Sequence, residues 1–108
     1  MEENVLCYTE NFVKNRLIEK DKRINHHSIV NFKNLGEENT KKLVQLLEEG
    51  TNNNFMHRCV SVYRDAFIFE GDVYNICLSC GDYYKNDTRY YLNNTKQIKN
   101  FLNTFKND

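Results

Sequence analysis

Proline is absent from the 108 residues, and glycine occurs only four times. So little glycine excludes a glycine-rich phosphate loop, whose backbone amides need several such residues to close around an anion. Net charge is also missing, with 15 basic residues against 15 acidic. That removes the general positive field on which nucleic-acid binding depends, so a partner is recognised by a local patch and by shape. No apolar run approaches the ~20 residues that span a bilayer. The opening MEENVLCYTENF has neither the basic n-region nor the apolar h-region of a signal peptide. The expectation is a cytoplasmic chain with no membrane and no nucleic-acid partner. Four cysteines are too few for a disulfide scaffold and, in a cytosol, are held reduced.

The composition that remains is globular, and the length predicts one domain over residues 1–108 without room for a separate catalytic module. Val5 to Tyr8 reads as a strand or a helix start. From Glu10 to Glu19, Phe12, Val13, Leu17 and Ile18 recur at helical spacing and predict a first helix. Ser28 to Phe32 fits a short strand. In EENTKKLVQLLEEG, Leu43, Val44, Leu46 and Leu47 make one apolar stripe, with acidic residues in the first turn and Gly50 as the stop. Residues 58–69 and 73–78 are rich in Val, Tyr, Phe and Ile and predict a hairpin around Glu70-Gly71-Asp72. A Gly71-Asp72 loop would pair Phe69 with Tyr74 and Phe67 with Ile76, four large apolar side chains on one face. A further strand is expected around Thr88 to Leu92. A last helix carries Ile98, Leu102 and Phe105 on its stripe, and Asn94 with Gln97 resembles a capping box. The sum is an α+β fold, a small antiparallel sheet over 58–92 with about three helices on one face.

Residues 57–81 hold three of the chain's four cysteines and one of its three histidines. Cys77-Leu78-Ser79-Cys80-Gly81 has the form of a zinc knuckle, and His57 with Cys59 would complete a four-ligand zinc site. A zinc ribbon would show a second Cys-x-x-Cys, which the chain does not have. A catalytic redox pair belongs at a helix N-terminus, whereas Cys77 ends a strand and Asp82 follows the turn. A structural disulfide among Cys59, Cys77 and Cys80 is a further alternative, and buried thiols packing as small hydrophobes is the plainest one. The leading expectation is therefore no cofactor, with zinc as the alternative. No signature of thiol hydrolysis surrounds any Cys or His, so no enzyme is expected.

Two groups of residues are better suited to a protein partner. Arg64-Asp65, a charged pair inside a β segment, is either a structural ion pair or a recognition point. Tyr83, Tyr84, Arg89 and Tyr90 belong to residue types enriched at the centres of interfaces, and strand alternation turns one Tyr of each adjacent pair outward.

The stretch YRDAFIFEGDVYNICLSCGDYY resembles a set of small proteins of Bacteroidetes. These have an Arg-containing strand, an aromatic strand, a short turn and an Ile-Cys-x-x-Cys strand end, matched here by Cys59, Arg64, Asp65, Ile68, Phe69, Ile76, Cys77 and Cys80. Tyr63 stands where that set often has proline. The resemblance covers roughly residues 33–92 and implies a fold more than a function. The functional expectation is a protein-binding module, an immunity protein or antitoxin whose partner is a toxin or effector.

Overall fold

The computed structural model describes residues 2–11, 13–25, 29–52 and 61–106. Six strands, β1 (Val5–Tyr8), β2 (Asn31–Asn34), β3 (Asp65–Phe69), β4 (Asp72–Cys77), β5 (Asp82–Lys85) and β6 (Thr88–Tyr91), form one antiparallel sheet in the order β2-β1-β3-β4-β5-β6. Two helices, α1 (Gly36–Gly50) and α2 (Thr95–Lys106), complete the α+β architecture. Neither is long and apolar enough to cross a membrane. The sheet is larger than the 58–92 unit expected from the sequence, because β1 and β2 join it from the amino-terminal third. The helices number two among the described residues, not about three.

Both helices pack on one face of the sheet. There Leu43, Val44 and Leu47 of α1 and Ile98 and Leu102 of α2 meet Leu6, Phe67, Phe69, Tyr74, Ile76 and Tyr83. Aromatic rings on this face form a ladder across four strands. Phe67 stacks on Tyr74 at 4.7 Å, Tyr74 lies 6.4 Å from Tyr83, and Tyr83 stacks on Tyr90 at 5.2 Å. The expected capping box of α2 does not form. The Asn94 amide donates instead to the Leu46 carbonyl of α1 at 2.8 Å, and its Oδ1 is left without a partner. Asn94 thus ties the helices together at a point where only Gly50 leaves room, since a Cβ there would fall 1.7 Å from Asn94 Oδ1.

The second face is covered without a helix. Val13, Leu17 and Ile18 pack on Cys7, Ala66, Ile68, Val73 and Cys77. These are the residues whose spacing predicts a helix over 10–19, but the backbone here takes no regular form, and Phe12 lies outside the described residues. The reason is that the sheet supplies this segment's hydrogen bonds. Ile18 N–H donates to Asn75 Oδ1 at 3.1 Å, and Asn75 Nδ2 donates to the Ile18 carbonyl at 3.0 Å. Tyr63 N–H donates to the Val13 carbonyl and Asn25 N–H to the Leu17 carbonyl. A helix would need those same backbone groups for itself.

The β3–β4 hairpin turns one residue earlier than expected. Phe69 pairs with Asp72, Ile68 with Val73 and Phe67 with Tyr74, so Glu70-Gly71 is the loop and the Phe69–Tyr74 register is not adopted. Both loop residues have positive φ, +49° and +82°, the pattern of a type I′ turn, with Gly in the second position. The unfavourable Phe69–Asp72 closing pair is resolved by the neighbouring turn. Asn86 Nδ2 donates to Asp72 Oδ1 at 2.9 Å, while Asn86 Oδ1 accepts from Val73 N–H at 2.9 Å.

Replacing Asn75, which is 0% exposed, by Leu keeps its branched shape but strands the Ile18 N–H and carbonyl. The expected loss is about 2–6 kcal/mol, from two buried backbone groups at about 1–3 kcal/mol each. Urea unfolding followed by tyrosine fluorescence measures it, and a loss below about 1 kcal/mol would show that water or a neighbour replaces the clamp.

Candidate functional site

The ends of β1 and β3 and one side of α2 enclose a cleft of about 640 Å³, within the range of natural ligand and partner pockets. Lys99, Asn103 and Lys106 line it from α2 at i, i+4 and i+7 spacing, a single helix face. Tyr8, Thr9 and Glu10 face them, with Arg64 and Asp65 at the head of β3 and Ser79 in the loop after β4. The Arg64-Asp65 pair singled out in the sequence thus lies at a cavity, and its two members differ. Arg64 is exposed, whereas Asp65 is 2% exposed and faces α2. Lys106 Nζ approaches Asp65 Oδ1 at 2.5 Å and lies 5.2 Å from the centre of the Tyr8 ring. Oδ1 has no well-directed hydrogen bond, so Coulomb attraction carries the contact. Burial raises the Asp65 carboxyl above its ordinary value, and Lys106 offsets only part of that rise. The floor of the cleft is a buried ion pair, and Arg64, Lys99 and Glu10 stand exposed around it.

The tyrosine hairpin is different from its expected role. Alternation does split each Tyr-Tyr pair, but both sides are covered. Tyr83 is 4% exposed, belongs to the ladder, and its hydroxyl meets Thr51 Oγ1 at 2.9 Å. Tyr90 is half-buried against the same core. Tyr84 lies on the other face, edge-on to Tyr63 and under the Arg16 guanidinium, 4.6 Å from its ring centre. Arg89 is also structural. Its Nε donates to Asp82 Oδ2 at 2.7 Å, Ser61 Oγ donates to the same oxygen at 3.2 Å, and Asp82 is fully buried. Among the six residues expected at a partner surface, Arg64 is the one the fold leaves exposed.

Of the alternative zinc set, His57 and Cys59 lie outside the described residues. Cys80 is disulfide-bonded, and a sulfur in that state is not a thiolate ligand. Cys7 and Cys77 are buried free thiols. Cys77 Sγ accepts from Val62 N–H at 3.3 Å and Cys80 N–H at 3.4 Å, and lies 3.4 Å from the Ser79 hydroxyl. The Cys7 thiol is pushed up to about 11 by burial, with the Asp65 charge adding to it. Comparisons with protein families, with curated proteins and with solved structures return no match.

Lys99, Lys106 and Glu10 were not readable as site residues. The lysines are polar positions on an amphipathic helix, and the i, i+4, i+7 relation among 99, 103 and 106 is the signal that places them together. Two further features also escape the pattern. Ile29 and Phe32, 80% and 51% exposed, sit at and just before the β2 edge, and Phe32, paired with Cys7, faces the second side of the sheet, away from the cleft.

Arg89→Ala leaves the buried Asp82 carboxylate without its cation and is expected to cost roughly 3 kcal/mol, the scale of breaking a buried pair. Chemical denaturation reads it out, and an unchanged midpoint would remove Arg89 from the structural set. For Asp65 the folded carboxyl titrates above the unfolded one, so in the acid range the folded state holds the extra proton. Stability conferred by the protonated form is full below the unfolded value near 3.8 and is lost as pH rises through the raised folded value. Asp65→Asn is expected to remove that decline, so its stability relative to wild type rises as the pH climbs from below 3.8 through the raised folded value. Parallel pH-stability curves for the two proteins would overturn the assignment.

Proposed function

We propose that the chain is a non-catalytic protein-binding module of the immunity-protein or antitoxin kind, whose partner is a toxin or effector that docks at the charged cleft. The observation that carries this reading is the cleft itself. Arg64 and Lys99 stand exposed on its rim with Glu10 opposite, around a floor where Lys106 and Asp65 already neutralise each other. Exposed charges of both signs around a neutral floor set register and association rate between two protein surfaces. The partner's side would present carboxylates to Arg64 and Lys99.

The disulfide at Cys80 favours a compartment oxidising enough to keep it, against the cytoplasmic placement expected from the sequence. In a reducing cytosol that sulfur would be a thiol.

Co-expression with the product of the neighbouring gene in a bacterial host tests the reading. The wild-type chain is expected to restore growth and to bind that product. The Arg64→Glu/Lys99→Glu double variant is expected to melt with the wild type, lose rescue and bind at least about 100-fold more weakly. Rescue by the charge-reversed chain would move the interface elsewhere, and a neighbour that is neither toxic nor bound would end the immunity reading.

A further inference from the structure

The two edge strands of the sheet are treated differently by the chain. Along β6, Asn52 N–H donates to the Tyr91 carbonyl at 2.8 Å and Thr51 bridges Leu92, so the segment after α1 engages that edge. Along β2 the described residues supply no further strand, and Asn31, Phe32 and Asn34 are exposed. Which backbone groups stand open there follows from the alternation of an antiparallel ladder. Thr9 N–H donates to the Arg64 carbonyl at 3.0 Å, so β1 turns Cys7 to β3 and turns Leu6 and Tyr8 to β2. Their partners Lys33 and Asn31 therefore use their N–H and C=O groups inside the sheet. Leu35 keeps the same phase, donating to the Asn4 carbonyl at 2.9 Å. Phe32 and Asn34 are out of phase and aim theirs outward.

Open edges are commonly blunted by proline, by a bulge or by charge. This chain has no proline, and the β1–β2 register runs from Val5–Asn34 to Tyr8–Asn31 without a bulge. The charge on β2, Lys33, pairs with Leu6 on the helix-bearing face, while Phe32 stands half-exposed opposite Cys7 on the other. We propose that β2 is a self-association edge, where two copies of the chain pair antiparallel about a two-fold axis through Phe32 and join their sheets.

In that register Phe32 exchanges both backbone bonds with Phe32 of the second copy, and Asn34 exchanges its own with Val30 of the second copy. The two Phe32 rings meet directly, and each Val30, packed on the second core, lies diagonal to the opposite ring. Charge selects this register over its neighbours. Lys33 faces Asn31 of the second copy, whereas an axis through Lys33 would set two lysines directly opposite each other. An axis through Asn31 would carry the pairing off the start of the strand. The zero net charge of the chain leaves no long-range repulsion between copies. One short strand buries less than the roughly 1,200 Å² of a standard interface, so the dimer is weak and reversible. The contact does not rest on what the cleft binds.

Sedimentation velocity of the full chain between about 10 µM and about 1 mM tests the proposal, with passage from monomer to dimer expected across that range. Phe32→Lys sets two cations face to face in place of the rings. It is expected to melt with the dilute wild type and to weaken association at least about tenfold. Asn31→Glu gives each Lys33 a carboxylate across the junction and is expected to tighten association about threefold to tenfold at low salt. That gain is expected to vanish at about 0.5 M salt. With the axis through Asn31, the same change would set two carboxylates opposite each other and weaken the dimer. A chain still monomeric at about 1 mM overturns the proposal and leaves the edge to a strand of another protein. Phe32→Lys associating as the wild type does, or Asn31→Glu associating no more tightly, overturns it as well.

Discussion

The reciprocal pair of hydrogen bonds between the Asn75 side chain and the Ile18 backbone holds this structure together. A six-stranded sheet with helices on one face leaves its second face bare, and here that face is as apolar as the first. A segment without regular structure can cover it only if its backbone polar groups find partners, since each left dry and unpaired costs about 1–3 kcal/mol. Asn75 provides a donor and an acceptor at one point, as a neighbouring strand would. Around it, Leu17 and Ile18 enter the core as fully buried side chains. Arg16 then reaches over Tyr84 to the Asn86 carbonyl and Asp87 carboxylate, pinning the far end of the segment to the β5–β6 turn. The second core exists because one buried amide lets coil behave as a layer.

That arrangement explains which parts of the fold were legible. Helices α1 and α2 follow from apolar stripes whose period is decided by the sequence alone, and the structure places both where the stripes do. Phe12, Val13, Leu17 and Ile18 have the same spacing, yet 13–18 is no helix, because the deciding groups are Asn75 and Tyr63, some 50 residues away in the chain. The hairpin register failed for a local reason. Counting apolar pairs favoured Gly71-Asp72, whereas the backbone required positive φ at two successive positions and Asn86 was waiting to take the Asp72 carboxylate.

The candidate site was half readable. Arg64-Asp65 stood out because charge within a β segment demands a reason, and the cleft supplies it. Its other wall did not stand out, since lysines on the polar side of a helix carry no mark until the helix is docked. Tyr83, Tyr90 and Arg89 misled for the opposite reason. Their composition suits an interface, but the sheet uses them first, two in the ladder and one as the counter-charge to Asp82. Composition identifies what a side chain can do, and packing decides whether it is still free to do it.

The ladder has a consequence of its own. The chain contains no tryptophan, so its near-ultraviolet absorption comes from tyrosine and, more weakly, phenylalanine. Tyr74, Tyr83 and Tyr90 are held in sequence across β4, β5 and β6 with centroid spacings of 6.4 and 5.2 Å. Rings that close share their excited states, and the sign and size of the resulting circular dichroism depend on the angles between them. The protein therefore carries an intrinsic optical gauge of its own strand register, one that a slip of a single residue between β4 and β5 would reset by sending one member of the ladder to the opposite face.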